Sequence, residues 1–263
     1  MNRLLDGWLQ NARSVGIDIH QLRHSLRGVP AYLRDLSRVR AEGEKAGWPF
    51  PIRALRPCLA DRHAPAGLIS QHYFYQDWFV ARRIFARNPR RHVDVGSRID
   101  GIVGSLAAFR DVEVFDIRPL ALDVPAIAFR QVDLMRLPPE LEGYCDSVSS
   151  LHAIEHFGLG RYGDPLDYMG HLAGLDAVHR LLEPGGAFYF SVPIGPQRLE
   201  FNAHRVFALG PLLDLLARRY RVDSFSYVDD RNRFHPEVPL TPGDVEANFG
   251  CHYGCGVFEL TKR

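Results

Sequence analysis

The stretch "LHAIEHFG" carries His152, Glu155 and His156, a set of side chains suited to moving a proton at neutral pH. Imidazole titrates near neutrality, so a ring held beside a hydroxyl can take its proton, and a neighbouring carboxylate can orient that ring. His152 and His156 stand four apart and share a helical face if the segment winds, with Glu155 placed to orient a ring or bind substrate. His156 is the first choice of general base and His152 the second. Further along, "EFNAHRVF" offers Asn202, His204 and Arg205, which suit a sugar hydroxyl, a carboxylate or a phosphate. The plainer reading of that segment is a loop tied down by its own polar side chains.

A second set of residues lies at the ends of β-rich runs. In "RRHVDVGSRIDG" an apolar-alternating strand stops at Val95 and breaks at Gly96, bringing backbone N–H groups to a sheet edge where they can meet a ligand. The pattern is G-x-x-x-x-G, without the lysine and hydroxyl residue of a phosphate-binding loop, so a polyphosphate is not indicated. Asp116 follows 20 residues after Gly96, at the end of "VEVFD". A carboxylate there can accept from both hydroxyls of a ribose. In "QVDLMRLP", Asp133 and Leu134 are placed to touch an adenine, the acid at its amine and the leucine on its face. Each acid alone also reads as a helix cap or turn residue.

These residues need a scaffold, and the alternation of the chain supplies one. From residue 90 onward the runs "HVDV", "VEVFDI", "AIAFRQVDL", "CDSVSSL", "AFYFSVPI", "RVDSFSYV" and "GVFEL" read as strands. Between the fourth and fifth, Leu172, Leu175, Val178 and Leu182 form one helical stripe that ends at Pro184 and Gly185. Strands alternating with helices predict an α/β fold with a mostly parallel sheet and ligands at the strand C-terminal ends. Residues 1–89 read as a helical, loop-rich extension, serving as a cap over the acceptor or as a homodimer contact.

Composition excludes several classes. The 263 residues carry a formal net charge of +1 and 46% hydrophobic content, which describes a folded core and gives no electrostatic reason to expect nucleic acid or an anionic membrane. Arg82, Arg83, Arg87, Arg90 and Arg91 read as a solvated helix face. The opening residues have too short an apolar run for a signal peptide, and no stretch is long enough for a membrane span. The expected location is the cytoplasm. Cysteines at 58, 145, 251 and 255 do not form a secreted disulfide framework. His152, Glu155, His156, His204 and His235 are candidates for a metal site, but no pair has a zinc-signature spacing, so no metal is expected. "CHYGCG" reads as the start of a final strand with small residues at a close approach.

The ordered series "VDVGSRIDG", "VFDIRPL", "VDLMRLP", "CDSVSSLHAIEHFG" and "LLEPGGAFYFSVP" resembles the motifs of class I S-adenosylmethionine-dependent methyltransferases, over residues 90–263. "SLHAIEHFGLGRYGDP" with "SVPIGPQRLEFNAHRVF" is similar to a little-characterised methyltransferase-like subfamily, long catalogued as a domain of unknown function. The resemblance implies a Rossmann-like sheet, S-adenosylmethionine as cofactor, and a small polar acceptor such as a sugar or glycoconjugate hydroxyl. It assigns Asp94, Gly96 and Ser97 to the methionine part of the cofactor and Asp116 with Ile117 to the ribose. It gives Asp133 and Leu134 to the adenine, and Ser150 and Leu151 to the cofactor wall after the fourth strand. Arg98 departs from the family pattern, which has glycine there: either the turn is rebuilt or the cofactor carboxylate meets a guanidinium. The alternative is a nucleotide-binding scaffold that keeps the sheet without turnover.

Overall fold

Strand β1 (His92–Val95) is buried along its whole length, so its polar side chains must find partners inside the protein. Strand β4 (Cys145–Leu151), equally buried, provides them. His92 Nδ1 lies 2.8 Å from Ser147 Oγ and Nε2 lies 3.1 Å from Ser149 Oγ, while Ser149 Oγ donates to Asp94 Oδ2 at 2.5 Å. A hydroxyl has a single proton to give, so Ser149 accepts from His92 Nε2, and Nδ1 is left to accept from Ser147. Ser150 Oγ donates to Val95 O at 3.1 Å. A serine-rich strand is thereby at home in the core.

The computed structural model describes residues 19–47, 49–59, 71–121 and 123–263. The chain divides into two units, Met1–Leu68 and Ile69–Arg263. In the first, helix α1 (Ile19–Lys45) is crossed at Gly28 by Leu59, whose carbonyl occupies the place a Cβ would take. The opening segment that was weighed as a signal peptide lies outside the described residues.

The second unit begins its described part with α2 (Gln71–Arg87), followed by β1. A π-turn at Ile99–Val103 runs into α3 (Gly104–Ala107), and then come β2 (Val112–Asp116), β3 (Ile127–Gln131) and β4. Helix α4 (Gly170–Leu181) leads directly into β5 (Leu182–Ile194), and a hairpin of β6 (Arg198–Glu200) and β7 (His204–Val206) precedes α5 (Leu209–Ala217). Strands β8 (Tyr220–Val228) and β9 (Phe234–His235), helix α6 (Pro242–Glu246) and β10 (Gly254–Lys262) complete it. Helix α2, read from the sequence with the N-terminal extension, is therefore part of the sheet-bearing unit.

The main sheet has the order β3-β2-β1-β4-β5-β10-β8-β9. Strands β1 to β5 pair in parallel, while β10 runs antiparallel to both β5 and β8. The order reverses between β1 and β4, which opens a crevice at their carboxyl ends. Two apolar cores flank the sheet. Val80, Ala81 and Ile84 of α2 join Val112, Val114 and Val257 in one, and Leu175 and Val178 of α4 join Leu212 of α5, Phe188 and Phe190 in the other.

One boundary differs from expectation. Helix α4 stops at Leu181, ahead of Pro184 and Gly185, because Leu182 is already extended and pairs with Cys145. The turn comes at Gly185, with φ +76°. Arg82, Arg87, Arg90 and Arg91 of the arginine cluster are exposed, while Arg83 is half-buried and holds Glu259 at 2.6 Å.

Burial pushes the His92 imidazole down to about 3, against 6.5 for an exposed ring. Between those values the folded chain binds fewer protons than the unfolded one, so stability is intact above pH 6.5 and falls as pH drops towards 3. At pH 5 this group removes about 2 kcal/mol. Thermal unfolding of His92→Gln should show a lower Tm than the parent at pH 7 and a flatter decline between pH 7 and pH 5. An identical decline in both proteins would refute the assignment.

Candidate functional site

The turn after β1 is built around a buried carboxylate. Asp94 Oδ1 accepts from Ser97 N at 3.1 Å, and Ser97 Oγ in turn accepts from Leu151 N at 3.1 Å, so the loops after β1 and β4 are tied together. Gly96 has φ +70° and donates its N–H to Phe115 O at 2.9 Å. A Cβ there would come 3.0 Å from the Ala153 Cβ, which leaves glycine the residue that fits. The N–H groups of Gly96 and Ser97 thus point into the protein, contrary to the expectation that they meet a ligand. Arg98 is turned away as well: its Nε and Nη2 donate to Asp100 at 3.0 and 2.7 Å, and its guanidinium sits 5.2 Å from the Tyr73 ring centre. The chain then makes a kinked turn over Ile99–Val103, with Gly101 at φ −115° and ψ −112°.

A cavity of about 540 Å³, measured to its open mouth, lies at the carboxyl ends of β1, β2 and β4, beside the turn after β3. Gly96, Asp116, Ile117, Asp133 and Leu134 line one part, and His152, Ala153, His156, Phe157, Tyr162 and Asp164 another. Five sequence-predicted cofactor residues are therefore brought together. Asp133 Oδ1 accepts from Met135 N at 2.9 Å and caps the short turn carrying Leu134, so its cap role and its place on the wall coexist. Asp116 is not idle either. It accepts from Arg118 N at 2.8 Å, Nε at 3.0 Å and Nη2 at 2.6 Å.

Arg118 is a site residue that the sequence reading passed over. Its guanidinium lies 4.4 Å from the Tyr162 ring centre, which spans the mouth from Asp116 to the loop after β4. That loop is fixed by Asp164, whose carboxylate accepts from Gly158 N at 2.7 Å, Gly160 N at 3.2 Å and Tyr162 N at 3.1 Å. The signals were present: an arginine two residues after the acid that ends β2, and an aspartate at a short interval after two glycines, as in an Asx-type turn.

"LHAIEHFG" does not wind into a helix. It holds one 3-10 turn, Ile154–His156, and His152 sits before it at φ +51°. The two rings consequently lack a common helical face. His152 Nδ1 binds Glu155 Oε1 at 2.7 Å; burial works against its charge, but attraction to Cys255 and Glu155 holds its pKa well above 6.5. His156 differs. Its Nδ1 donates to Ala203 O at 2.6 Å, since a carbonyl only accepts, so the lone pair resides on Nε2. Burial lowers its pKa below 6.5 despite Glu155 nearby. Glu155 Oε1 is 3.8 Å from His156 Nε2, and the acid stands behind both rings instead of on the cavity wall. It is ionised: burial alone would raise its pKa, but His152 brings it down.

Several predicted residues serve the framework. Ser150 and Leu151 are buried in the sheet and do not line the cavity. Arg205 spends its guanidinium on Glu155 O at 3.2 Å, Phe157 O at 2.7 Å and Tyr168 O at 2.8 Å, clamping the loop that carries His156 instead of facing an acceptor. His204 lies in β7 beside His156, ring centres 6.3 Å apart, and Asn202 is in the hairpin turn before it; neither lines the cavity.

The seven strands from β3 to β8, with β10 inserted antiparallel between β5 and β8, decide the fold. The chain has the class I S-adenosylmethionine-dependent methyltransferase fold. Residues 126–232 match a family described as "Caenorhabditis protein of unknown function, DUF268", and no curated protein matches the chain in sequence. Among solved structures, the chain is similar to the [4+2]-cyclase SpnF, with a TM-score of 0.50 and 15% identity, covering 82% of this chain and 86% of that one. A TehB-like methyltransferase from Corynebacterium glutamicum is 18% identical, with a TM-score of 0.48 over 89% of this chain and all (100%) of that one. Another neighbour is the Burkholderia thailandensis 1,6-didemethyltoxoflavin-N1-methyltransferase, solved with S-adenosylhomocysteine: TM-score 0.47, 18% identity, 76% of this chain and 93% of that one. At these identities the likeness concerns the fold.

Removing the Asp164 carboxylate leaves three N–H groups without their acceptor. Asp164→Ala should speed amide exchange at Gly158, Gly160 and Tyr162 and cost about 1–3 kcal/mol in thermal unfolding. Unchanged exchange at these three amides would show that the loop is held by other contacts.

Proposed function

We propose that the chain is a methyltransferase that binds S-adenosylmethionine in the cavity at the ends of β1, β2 and β4 and methylates a hydroxyl of a small polar acceptor, such as a sugar or glycoconjugate. The observation that carries this reading is the cavity itself, which sets Gly96, Asp116, Asp133 and Leu134 opposite His156. The donor set fits the cofactor. Asp116 can accept from ribose hydroxyls, and Phe115, Leu134 and Met135 offer apolar contact to an adenine.

S-adenosylmethionine, when bound, supplies an activated methyl group for in-line displacement. The chain's own residues would do the rest. His156, neutral because it is buried and with its lone pair on Nε2, takes the acceptor's proton. Glu155, ionised and 3.8 Å from that nitrogen, stabilises the imidazolium that results. His152 is a poorer base, being held protonated by Cys255 and Glu155. Phe157 and Tyr162 shield the cavity mouth from water. The part of the N-terminal extension that precedes the sheet-bearing unit serves in this reading as a helical cap or a homodimer contact. Among the described residues no helix is long and apolar enough to cross a membrane, and the four cysteines are unpaired, which supports the reducing environment of the cytoplasm.

One observation favours a second reading, a binding protein without turnover. Both Asp116 oxygens already have a partner in Arg118.

Calorimetry should detect S-adenosylmethionine or S-adenosylhomocysteine, and Asp116→Ala should weaken either by about 10- to 100-fold; equal affinity in the variant would remove the ribose assignment. Given an acceptor found by screening nucleotide sugars and glycans, His156→Ala should lose about 10²- to 10⁴-fold in turnover with cofactor affinity little changed. Parent activity should rise with pH through a value below 6.5, as the ring loses its proton. Tight cofactor binding without turnover across the panel would favour the binding protein, and full activity of His156→Ala would move the base elsewhere.

A further inference from the structure

Three side chains from distant parts of the sequence converge behind the His152 wall of the cavity. His72 comes from the first turn of α2, His152 from the end of β4 and Cys255 from β10. One donor atom from each lies within 4.8 Å of the other two. The place is dry: Cys255 is fully buried and His72 is 9% exposed, and the His152 side chain is 5% exposed.

His152 supplies the observation that points to a ligand. Its Nδ1 is held by Glu155 at 2.7 Å, while its Nε2 is buried without a hydrogen-bond partner. A buried ring nitrogen left this way costs free energy. A carboxylate on one imidazole nitrogen with the other aimed at an open point is the arrangement by which proteins orient a histidine towards a metal ion. The His72 ring is stacked on that of His152, centres 5.5 Å apart and planes 7° apart, so it is held beside the same point. On the third side Cys255 Sγ faces Gln76 Oε1 at 3.6 Å. Gln76 Oε1 already accepts from Ser191 Oγ at 2.6 Å, which fixes the amide with its oxygen turned to the sulfur.

We propose that His72, His152 and Cys255 form a binding site for a thiophilic divalent cation, zinc being the ion they fit best. One thiolate and two imidazoles make a borderline-soft set suited to a tetrahedral ion. In such a site donor atoms stand roughly 3.3–3.7 Å apart, so a small contraction of the present cluster completes it. On binding, the ion displaces the proton that His152 otherwise carries on Nε2, and its positive charge is met by the Cys255 thiolate and, through His152, by Glu155. Its fourth position faces Gln76 or a water. An ion there would pin α2 to the sheet and fix the His152 ring that forms part of the cavity wall. The site does not depend on the methyltransferase reading.

The full chain, freed of metal by chelator, should take up one Zn²⁺ in competition with a chromophoric chelator. With Co²⁺ it should develop a near-ultraviolet thiolate charge-transfer band together with the visible bands of a tetrahedral ion. Cys255→Ser should abolish the charge-transfer band, His72→Ala should weaken Zn²⁺ at least about tenfold, and Cys251→Ser should leave the spectrum unchanged. The wild-type Co²⁺ spectrum reports on the site whether or not a variant folds. No stoichiometric uptake, no charge-transfer band in the wild type, or a band that survives Cys255→Ser would overturn the proposal and leave Cys255 Sγ as a partner of Gln76 alone.

Discussion

The buried carboxylate of Asp94 governs the arrangement of everything around it. Burial pushes its pKa up to about 6 against the pull of the Ser149 and Ser97 hydrogen bonds, and those bonds must therefore be kept if the acid is to stay in the sheet. They are kept by the strand and the turn on either side of it, beside the His92 and Ser150 links that also join β1 to β4. Ser149 reaches from β4, and Ser97 folds back over the acid while its hydroxyl takes the Leu151 N–H. One charge thereby sets both the turn at Gly96 and the start of the segment that bears His152 and His156. Together with His92 and the Val95 carbonyl, which take Ser147 and Ser150, it explains why β4 is rich in serine where a central strand is ordinarily aliphatic.

The loop after β4 follows the same economy, in that carboxylates and guanidiniums are used to hold backbone groups. Asp164 collects N–H groups and Arg205 collects carbonyls of the same stretch. Between them they allow a long irregular segment to be ordered without helix or strand. Arg205 could be placed near the acceptor region from its position after the fifth strand, but its role is visible only from the three carbonyls it meets.

What could be read in advance was whatever depends on local pattern. The alternation of apolar residues located the strands, and the two-sided burial of β1 and β4 agrees with a parallel sheet core. Gly96, Asp116, Asp133 and Leu134 were legible because they follow strand ends at regular intervals, and strand ends define the crevice. The tilt of His152 away from His156 was not legible, since spacing by four implies a shared face only in a helix and the segment makes a single 3-10 turn. Nor was the grouping of His72 with Cys255, which comes about through the antiparallel return of β10 beside β5 and the seating of α2 on the sheet. Arg118 stood in the quoted sequence unnoticed, because nothing local says whether an arginine turns back on its neighbour or out to solvent.

The Arg118 bridge has an energetic meaning of its own. A guanidinium two residues from Asp116 is a competitor tethered at high effective concentration, so any hydroxyl that approaches the acid is measured against a charge-assisted pair already in place. Because the same guanidinium lies on Tyr162, displacing it at one end removes the aromatic ring's partner at the other. The Asp116 pair and the Tyr162 contact are thus coupled through one guanidinium, and added salt, by screening the pair, weakens the competitor that an incoming hydroxyl must displace.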